Sequence, residues 1–240
     1  MLNIFITGSD INVGKTFITA GIAATMQSLG YSTCVYKPIQ TGAIEKNGFA
    51  QSPDLAFVKN IDPYIKTYSS YLLKMPMMPV VAAEAENIII DKNSIKKDYE
   101  AIIKRYDCTI VESTGGIMTP IAPNLLVSDI IKILELPVLI IIKPDSGTVN
   151  QTLLTINHLI SKGIKVRGVI INNFPENTVD VDMKTIPRLI EEYSDAKILG
   201  VVKHFHNVKQ INPSDLITNI LNGIDIESVF DVKIAKLDVQ

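Results

Sequence analysis

Only two cysteines, Cys34 and Cys108, occur in 240 residues. Both fall in apolar, strand-like stretches, so neither a disulfide framework nor a cysteine metal cage is expected, and both read as buried free thiols. The three histidines, His158, His204 and His206, share no ligand spacing with the cysteines or with one another. A metal pair at His204 and His206 is one reading; an exposed loop is the favoured one. Charge of one sign is also lacking: the formal net charge is -2. Nothing in that balance calls for nucleic acid or a membrane surface as a partner. No apolar run is long. The longest, 136–142, contains Pro137 and falls far short of the roughly 20 residues that span a bilayer. The apolar segment 2–6 is too short for a signal core and no basic leader precedes it, so a cytoplasmic location is the expectation. Repeats, low-complexity tracts and Pro-, Gly- or Ser-rich linkers are absent, which favours a single domain over 1–240.

Apolar residues are plentiful. They make up 47% of the chain, and mean hydropathy is +0.24. Strands buried on both faces of a parallel sheet read as continuous apolar runs, and such runs recur here. Strands are predicted at 2–6, 33–36, 109–111, 138–142, 166–171 and 198–202. Helices are predicted at 15–29, 54–60, 95–104, 128–134, 150–162 and 183–193, with a further helix over 216–230. Gly30 and Gly163 sit at helix C-cap positions. The stretch 43–93 is less regular, with Pro53, Pro63, Pro76 and Pro79, and reads as an excursion that shapes a pocket.

The run Thr7-Gly8-Ser9-Asp10-Ile11-Asn12-Val13-Gly14-Lys15-Thr16 lies between the first strand and the first helix. A glycine-containing loop in that setting turns backbone N–H groups toward a polyphosphate, and the helix adds the positive end of its dipole. Lys15 can then reach the β- and γ-phosphates, and the Thr16 hydroxyl can ligate Mg²⁺. The usual first glycine is replaced by Ser9, with Gly8 one residue further out. The expected fold class is therefore α/β, P-loop NTPase-like, with a mostly parallel sheet flanked by helices on both faces. ATP or GTP is the expected ligand.

Ligands of open parallel sheets bind outside the carboxyl ends of the strands. Lys37 follows a strand directly and reads as a second cation for a γ-phosphate, or as a solvated strand-end lysine. Glu112 follows another strand and opens a glycine-containing loop; Mg²⁺ binding and a loop or capping carboxylate are its two readings. Asp54 follows Pro53, and helix capping is as good a reading as metal binding. The amide of Asn172 suits an adenine edge, while Asn172-Asn173 is also good turn chemistry.

Four blocks carry a family resemblance: residues 7–16; Tyr36-Lys37-Pro38-Ile39-Gln40-Thr41-Gly42; Val111-Glu112-Ser113-Thr114-Gly115-Gly116 with Thr119-Pro120; and Leu136-Pro137-Val138 leading to Gly147-Thr148-Val149-Asn150. Together, in this order, they resemble dethiobiotin synthetase, over about residues 2–202. The resemblance implies that Asn12, Val13, Gly14, Lys15, Thr16 and Phe17 bind ATP. Thr16, Asp54 and Glu112 would hold Mg²⁺, Lys37 and Lys15 would be catalytic, and Asn172 would meet the adenine. Thr41 and Gly115 would contact the diamine substrate. Gly147, Thr148, Val149 and Asn150 would reach the substrate of the partner in a homodimer. The implied reaction turns 7,8-diaminopelargonate, CO₂ (or bicarbonate) and ATP into dethiobiotin, through a carbamate and a carbamic-phosphoric anhydride.

The chain departs from the family pattern at Ser113-Thr114, where Gly-Ala is usual, and at Asn150-Gln151, where Asn-His is usual. Val202-Lys203-His204 and Met77-Met78-Pro79-Val80 are further departures. Three alternatives compete. Partition- or septum-type ATPase switches need a lysine five residues before the loop lysine, where this chain has Asp10. Cobalamin-type amidating synthases carry a glutaminase domain, for which the residues after Val202 are too few. A paralogue with an altered substrate would keep the fold and change the site, as at Ser113-Thr114.

Overall fold

The computed structural model describes residues 1–175, 178–205 and 207–234. Seven strands form one sheet: β1 (Leu2–Gly8), β2 (Thr33–Tyr36), β3 (Lys66–Tyr68), β4 (Cys108–Gly116), β5 (Val138–Ile142), β6 (Val166–Phe174) and β7 (Ile198–Lys203). All neighbours pair in parallel, in the order β7-β6-β5-β1-β4-β2-β3.

Alternation along each strand sends side chains to two separate cores. Phe5, Val111 and Ile140 point to one face, where α3 (Pro79–Ala85), α4 (Lys92–Ile103), α5 (Val127–Leu134), α6 (Thr148–Ser161) and α7 (Val181–Glu192) pack. Ile4, Ile6, Ile110 and Leu139 point to the other. There α1 (Lys15–Ser28), α2 (Pro53–Ile61), α8 (Pro213–Gly223) and α9 (Ile226–Phe230) lie. Covering both faces explains the high hydropathy: Val138 to Ile142 are all fully buried. Helix α1 is buried continuously from Phe17 to Met26, because α2 and α8 flank it above the sheet.

Three sequence expectations change. Strands β1, β4 and β6 run on past their apolar cores, so Glu112, Gly115 and Asn172 are strand residues, not loop residues. Parallel pairing continues there, through Gly8 with Gly116 and Phe174 with Lys203, although the sequence has turned polar. The single helix expected over 216–230 is two helices. Ile224 bridges to Gly200 of β7, and Asp225 caps α9 by accepting from the Ser228 N–H. The irregular stretch 43–93 supplies the edge strand β3, helix α3 and a small hairpin, Ile44–Lys46 with Phe49–Gln51. Among the described residues, no helix is long and apolar enough to cross a membrane.

Candidate active site at the carboxyl edge of the sheet

Register builds the charged centre. Strand β4 lies between β1 and β2, with Ile6 opposite Glu112 and Tyr36 opposite Val111. The next residue of β2's run, Lys37, and the loop after β1 therefore arrive at Glu112 from its two sides. The Lys37 ammonium donates to Glu112 Oε1 at 2.7 Å and to the Ser113 carbonyl at 3.3 Å. It also pairs with Asp54 Oδ2 at 2.7 Å. Thr16 donates its hydroxyl to the same Glu112 oxygen at 2.8 Å. Lys37 is 4% exposed and Glu112 1%, so Lys37 is no solvated strand-end lysine and Glu112 no loop carboxylate.

Asp54 is likewise not the cap of its helix. Ser52 caps α2, its hydroxyl accepting from the Leu55 N–H at 3.1 Å, with Pro53 in the first turn. This leaves the Asp54 carboxylate to the cleft. Ser52 also donates to Gln40 Oε1 at 2.5 Å, and Gln40 Nε2 donates to the Thr41 carbonyl at 2.7 Å. One buried amide thus ties the start of α2 to the Thr41 segment. Neither Gln40 nor Ser52 is among the site residues expected from the sequence, though Ser-Pro-Asp before an apolar run is a capping signature.

The two lysines have opposite proton affinities. Burial alone would lower Lys37, but Glu112 and Asp54 outweigh it and hold the ammonium above its ordinary value of 10.5. For Lys15 burial wins. Its value is pulled down, with Lys37 adding to the effect and Glu112, Asp54 and Asp10 opposing it. Lys15 folds back over its own loop and donates to the Asp10 carbonyl at 3.0 Å.

Two clefts meet at Asn12 and Gly14. One, of about 430 Å³, is lined by Lys15, Thr16, Lys37, Thr41, Asp54, Glu112 and Gly115, together with Ile11, Gln40, Ser113 and Thr114. The other, of about 320 Å³, is lined by Val13, Phe17, Asn172, Asn173 and Phe205, with Lys143, Lys203 and Val208. Phe17 and Phe205 face each other with ring centroids 5.4 Å apart. Asn172 belongs to β6, and it is Asn173 that takes the left-handed conformation, bonding His204 Nδ1. His206, the other member of the histidine pair, lies outside the described residues. Among the described residues, no three His, Cys, Asp or Glu side chains are grouped to hold a metal.

The unusual Ser113 and Thr114 side chains turn into the scaffold. Ser113 donates to the Gly115 carbonyl at 2.9 Å, and Thr114 donates to the Ile39 carbonyl. Gly115 has φ +73°, and a Cβ there would collide with the Thr119 side chain. Gly147, Thr148, Val149 and Asn150 line neither cleft. Thr148 is buried and donates to the Lys143 carbonyl at 2.5 Å, whereas Gly147 and Asn150 are exposed. Gln151 of the same helix reaches the phosphate-loop residue Asp10, Nε2 to Oδ2, at 3.3 Å.

A glycine-turned loop between a buried strand and helix, with a lysine at its end and an acid on the neighbouring strand, defines a phosphate-loop nucleotide-binding protein of the doubly wound type. Solved structures agree on that fold. The septum site-determining protein MinD with Mg-ADP from Pyrococcus horikoshii matches with a TM-score of 0.61 at 13% identity, over 99% of this chain and 97% of that one. The MinC:MinD complex of Aquifex aeolicus gives 0.59 at 17% identity, over 95% and 94%. Identities this low speak for the fold alone. The family pattern described as an AAA domain matches residues 2–212. The chain is 36% identical to the ATP-dependent dethiobiotin synthetase BioD of Methanocaldococcus jannaschii, over 83% of this chain and 93% of that protein. It is 32% identical to the BioD of Bacillus subtilis strain 168, over 92% and 96%. The chain belongs to the ATP-dependent dethiobiotin synthetase family.

Proposed function

We propose that this chain makes dethiobiotin from 7,8-diaminopelargonate, CO₂ and ATP. Family membership supports the reaction. The observation that carries the site is Lys37, held as a cation between Glu112 and Asp54 beside Lys15. In this reading the base of ATP lies in the cleft of Phe17, Asn172 and Phe205. The triphosphate crosses Asn12 and Gly14 into the charged cleft, where the loop amides, Lys15 and the amino end of α1 receive it. Asp54 and Glu112 already pair with a positive charge, and the Thr16 hydroxyl lies 2.8 Å from the same Glu112 oxygen, so these hard oxygen donors fit Mg²⁺ and would hold it. When bound, that ion neutralises charge on the β- and γ-phosphates.

One substrate amine takes up CO₂ to form a carbamate, and a carbamate oxygen attacks the γ-phosphorus as ADP leaves. The second amine then attacks the carbamoyl carbon, phosphate leaves, and the ring closes. Lys37 and Lys15 stabilise the charge that develops on the transferred phosphoryl group. Thr41 and Gly115 border the space for the diamine. The chain works as one domain, in the cytoplasm, and as a homodimer in which the Gly147–Asn150 segment of one protomer reaches the substrate of the other. Thr148 keeps its hydroxyl on Lys143, so Asn150 supplies the side-chain contact, and the start of α6 anchors the substrate carboxylate.

Incubation with ATP, Mg²⁺, bicarbonate and diaminopelargonate, followed by mass analysis, is expected to yield dethiobiotin; no product would refute the proposal. In the same assay, mixed Lys15→Ala and Asn150→Ala chains should exceed the activity of either parent. No recovery on mixing, with exchange shown, would refute the shared site.

A further inference from the structure

We infer that Asn172 is a positioning residue of the phosphate loop: it locks the peptide between Val13 and Gly14 so that the Gly14 N–H faces the phosphates. The inference rests on the nucleotide reading of the two clefts and deepens it. Asn172 is 6% exposed, and its Nδ2 donates to the Val13 carbonyl at 2.9 Å across 159 residues of sequence. A trans peptide holds its C=O and N–H in opposite directions. Drawing the Val13 carbonyl toward β6 therefore turns the Gly14 N–H away from β6 and into the hollow of the loop.

Two further features of the loop agree. Gly14 has φ +89°, and a Cβ there would occupy the place of the Asn172 amide nitrogen. Only glycine lets the loop come this close to Asn172 in this conformation. Gly14 also opens α1, accepting from the Ile18 N–H at 3.1 Å. One amide thus fixes both the direction of a phosphate donor and the point where the helix dipole begins. The residue bordering the base cleft sets the geometry of the phosphate cleft.

A base reader and a loop lock fail differently. A base reader affects which nucleotide is preferred; a loop lock affects every nucleotide equally and lowers turnover even at saturation. The test uses Asn172→Ala and the near-isosteric Asn172→Asp, which keeps the shape and loses the donor. Turnover is measured with ATP, GTP and CTP, and thermal melting checks the fold. A misplaced reacting group lowers rate steeply, so kcat at saturating ATP should fall about 10–100-fold. The ratios of kcat/KM among the three nucleotides should stay within about threefold, well under the factor of ten that 1.4 kcal/mol would give. Unchanged kcat at saturating ATP, or a collapse of nucleotide preference alone, would overturn the inference.

A second reading needs no turnover. In ¹⁵N-labelled protein saturated with ADP, the Gly14 amide proton should lie downfield in the wild type and lose that shift in Asn172→Ala. The same Gly14 shift in both proteins would overturn the inference. A wild-type chain that binds neither ADP nor ATP would instead sink the nucleotide reading on which it rests.

Discussion

The two clefts that meet at Asn12 and Gly14 are made of different materials. Around Lys37, buried charges satisfy one another: Glu112 serves two donors through one oxygen, and Asp54 completes the pair. Around Asn172, side-chain amides and the Phe17 and Phe205 rings supply the shape, and the charge at the walls is of one sign, from Lys143 and Lys203. The Lys37 cluster is therefore part of what holds the sheet edge together, whereas the rings and amides of the other cleft form a surface that the proposed function gives to the base. Damage to the first should reach stability as well as turnover. Damage to the rings of the second should reach affinity, while Asn172, which holds the phosphate loop, should reach turnover.

The largest effect is expected at Lys37. Lys37→Met would leave the Glu112 carboxylate buried without a cation, and breaking a buried pair this way costs about 3–5 kcal/mol. Asp54 is a third exposed, so the loss should fall at the lower end of that range. Urea unfolding measures it. Adding Glu112→Gln should restore much of the stability and none of the turnover. Equal stability of Lys37→Met and wild type would erase the contrast between the clefts. The pH dependence follows from the raised Lys37 value. Its contribution to stability is fully present below 10.5 and is lost as pH rises through the higher folded value, so the wild-type advantage over Lys37→Met should persist at pH 9 and fade only at stronger alkali.

Lys15→Ala should separate the two consequences. Its bond is to the Asp10 carbonyl of its own loop, so stability should shift by no more than about 1 kcal/mol. Turnover should fall by about two orders of magnitude, since a lost stabiliser of developing charge costs about 2.7–4 kcal/mol. Dethiobiotin formation under saturating ATP checks the rate, and near-normal turnover would remove Lys15 from the mechanism.

The smallest effect is expected at the aromatic pair of the second cleft. Phe205→Ala removes one ring of the Phe17 pair and, in the proposed placement of ATP, a face for the base. Stacking on an aromatic side chain is worth about 1–3 kcal/mol, so KM for ATP should rise about tenfold while kcat holds. A fall in kcat with KM unchanged would mean that the two clefts are not divided in this way.

The short-range patterns were legible because their causes are short-range. Buried parallel strands read as apolar runs, and β2 and β5 fall at the predicted residues. The edge strand β3, Lys-Thr-Tyr, carries no such run, because one of its sides is open to solvent and the pairing with β2 alone makes it a strand. The polar ends of β4 and β6 look like loops in the sequence for a related reason: hydrogen bonding to a neighbour keeps them extended after the apolar signal stops. The roles of Asp54 and Ser52 turn on which of them caps α2, a choice made by the Gln40 contact.

By itself the sequence determined the strand, loop and helix of the phosphate-loop motif, and the family to which its four blocks belong. Glycine, lysine and the flanking apolar periods act within a few residues of one another, so a linear pattern holds them. Tertiary structure decided the rest. Thr16 and Glu112 stand 96 residues apart, Lys37 and Glu112 stand 75, and Val13 and Asn172 stand 159. They meet because β4 and not another strand lies between β1 and β2, and because β6 lies two strands away on the other side. Strand order is fixed by packing helices over both faces of the whole sheet, and no local run of residues encodes it.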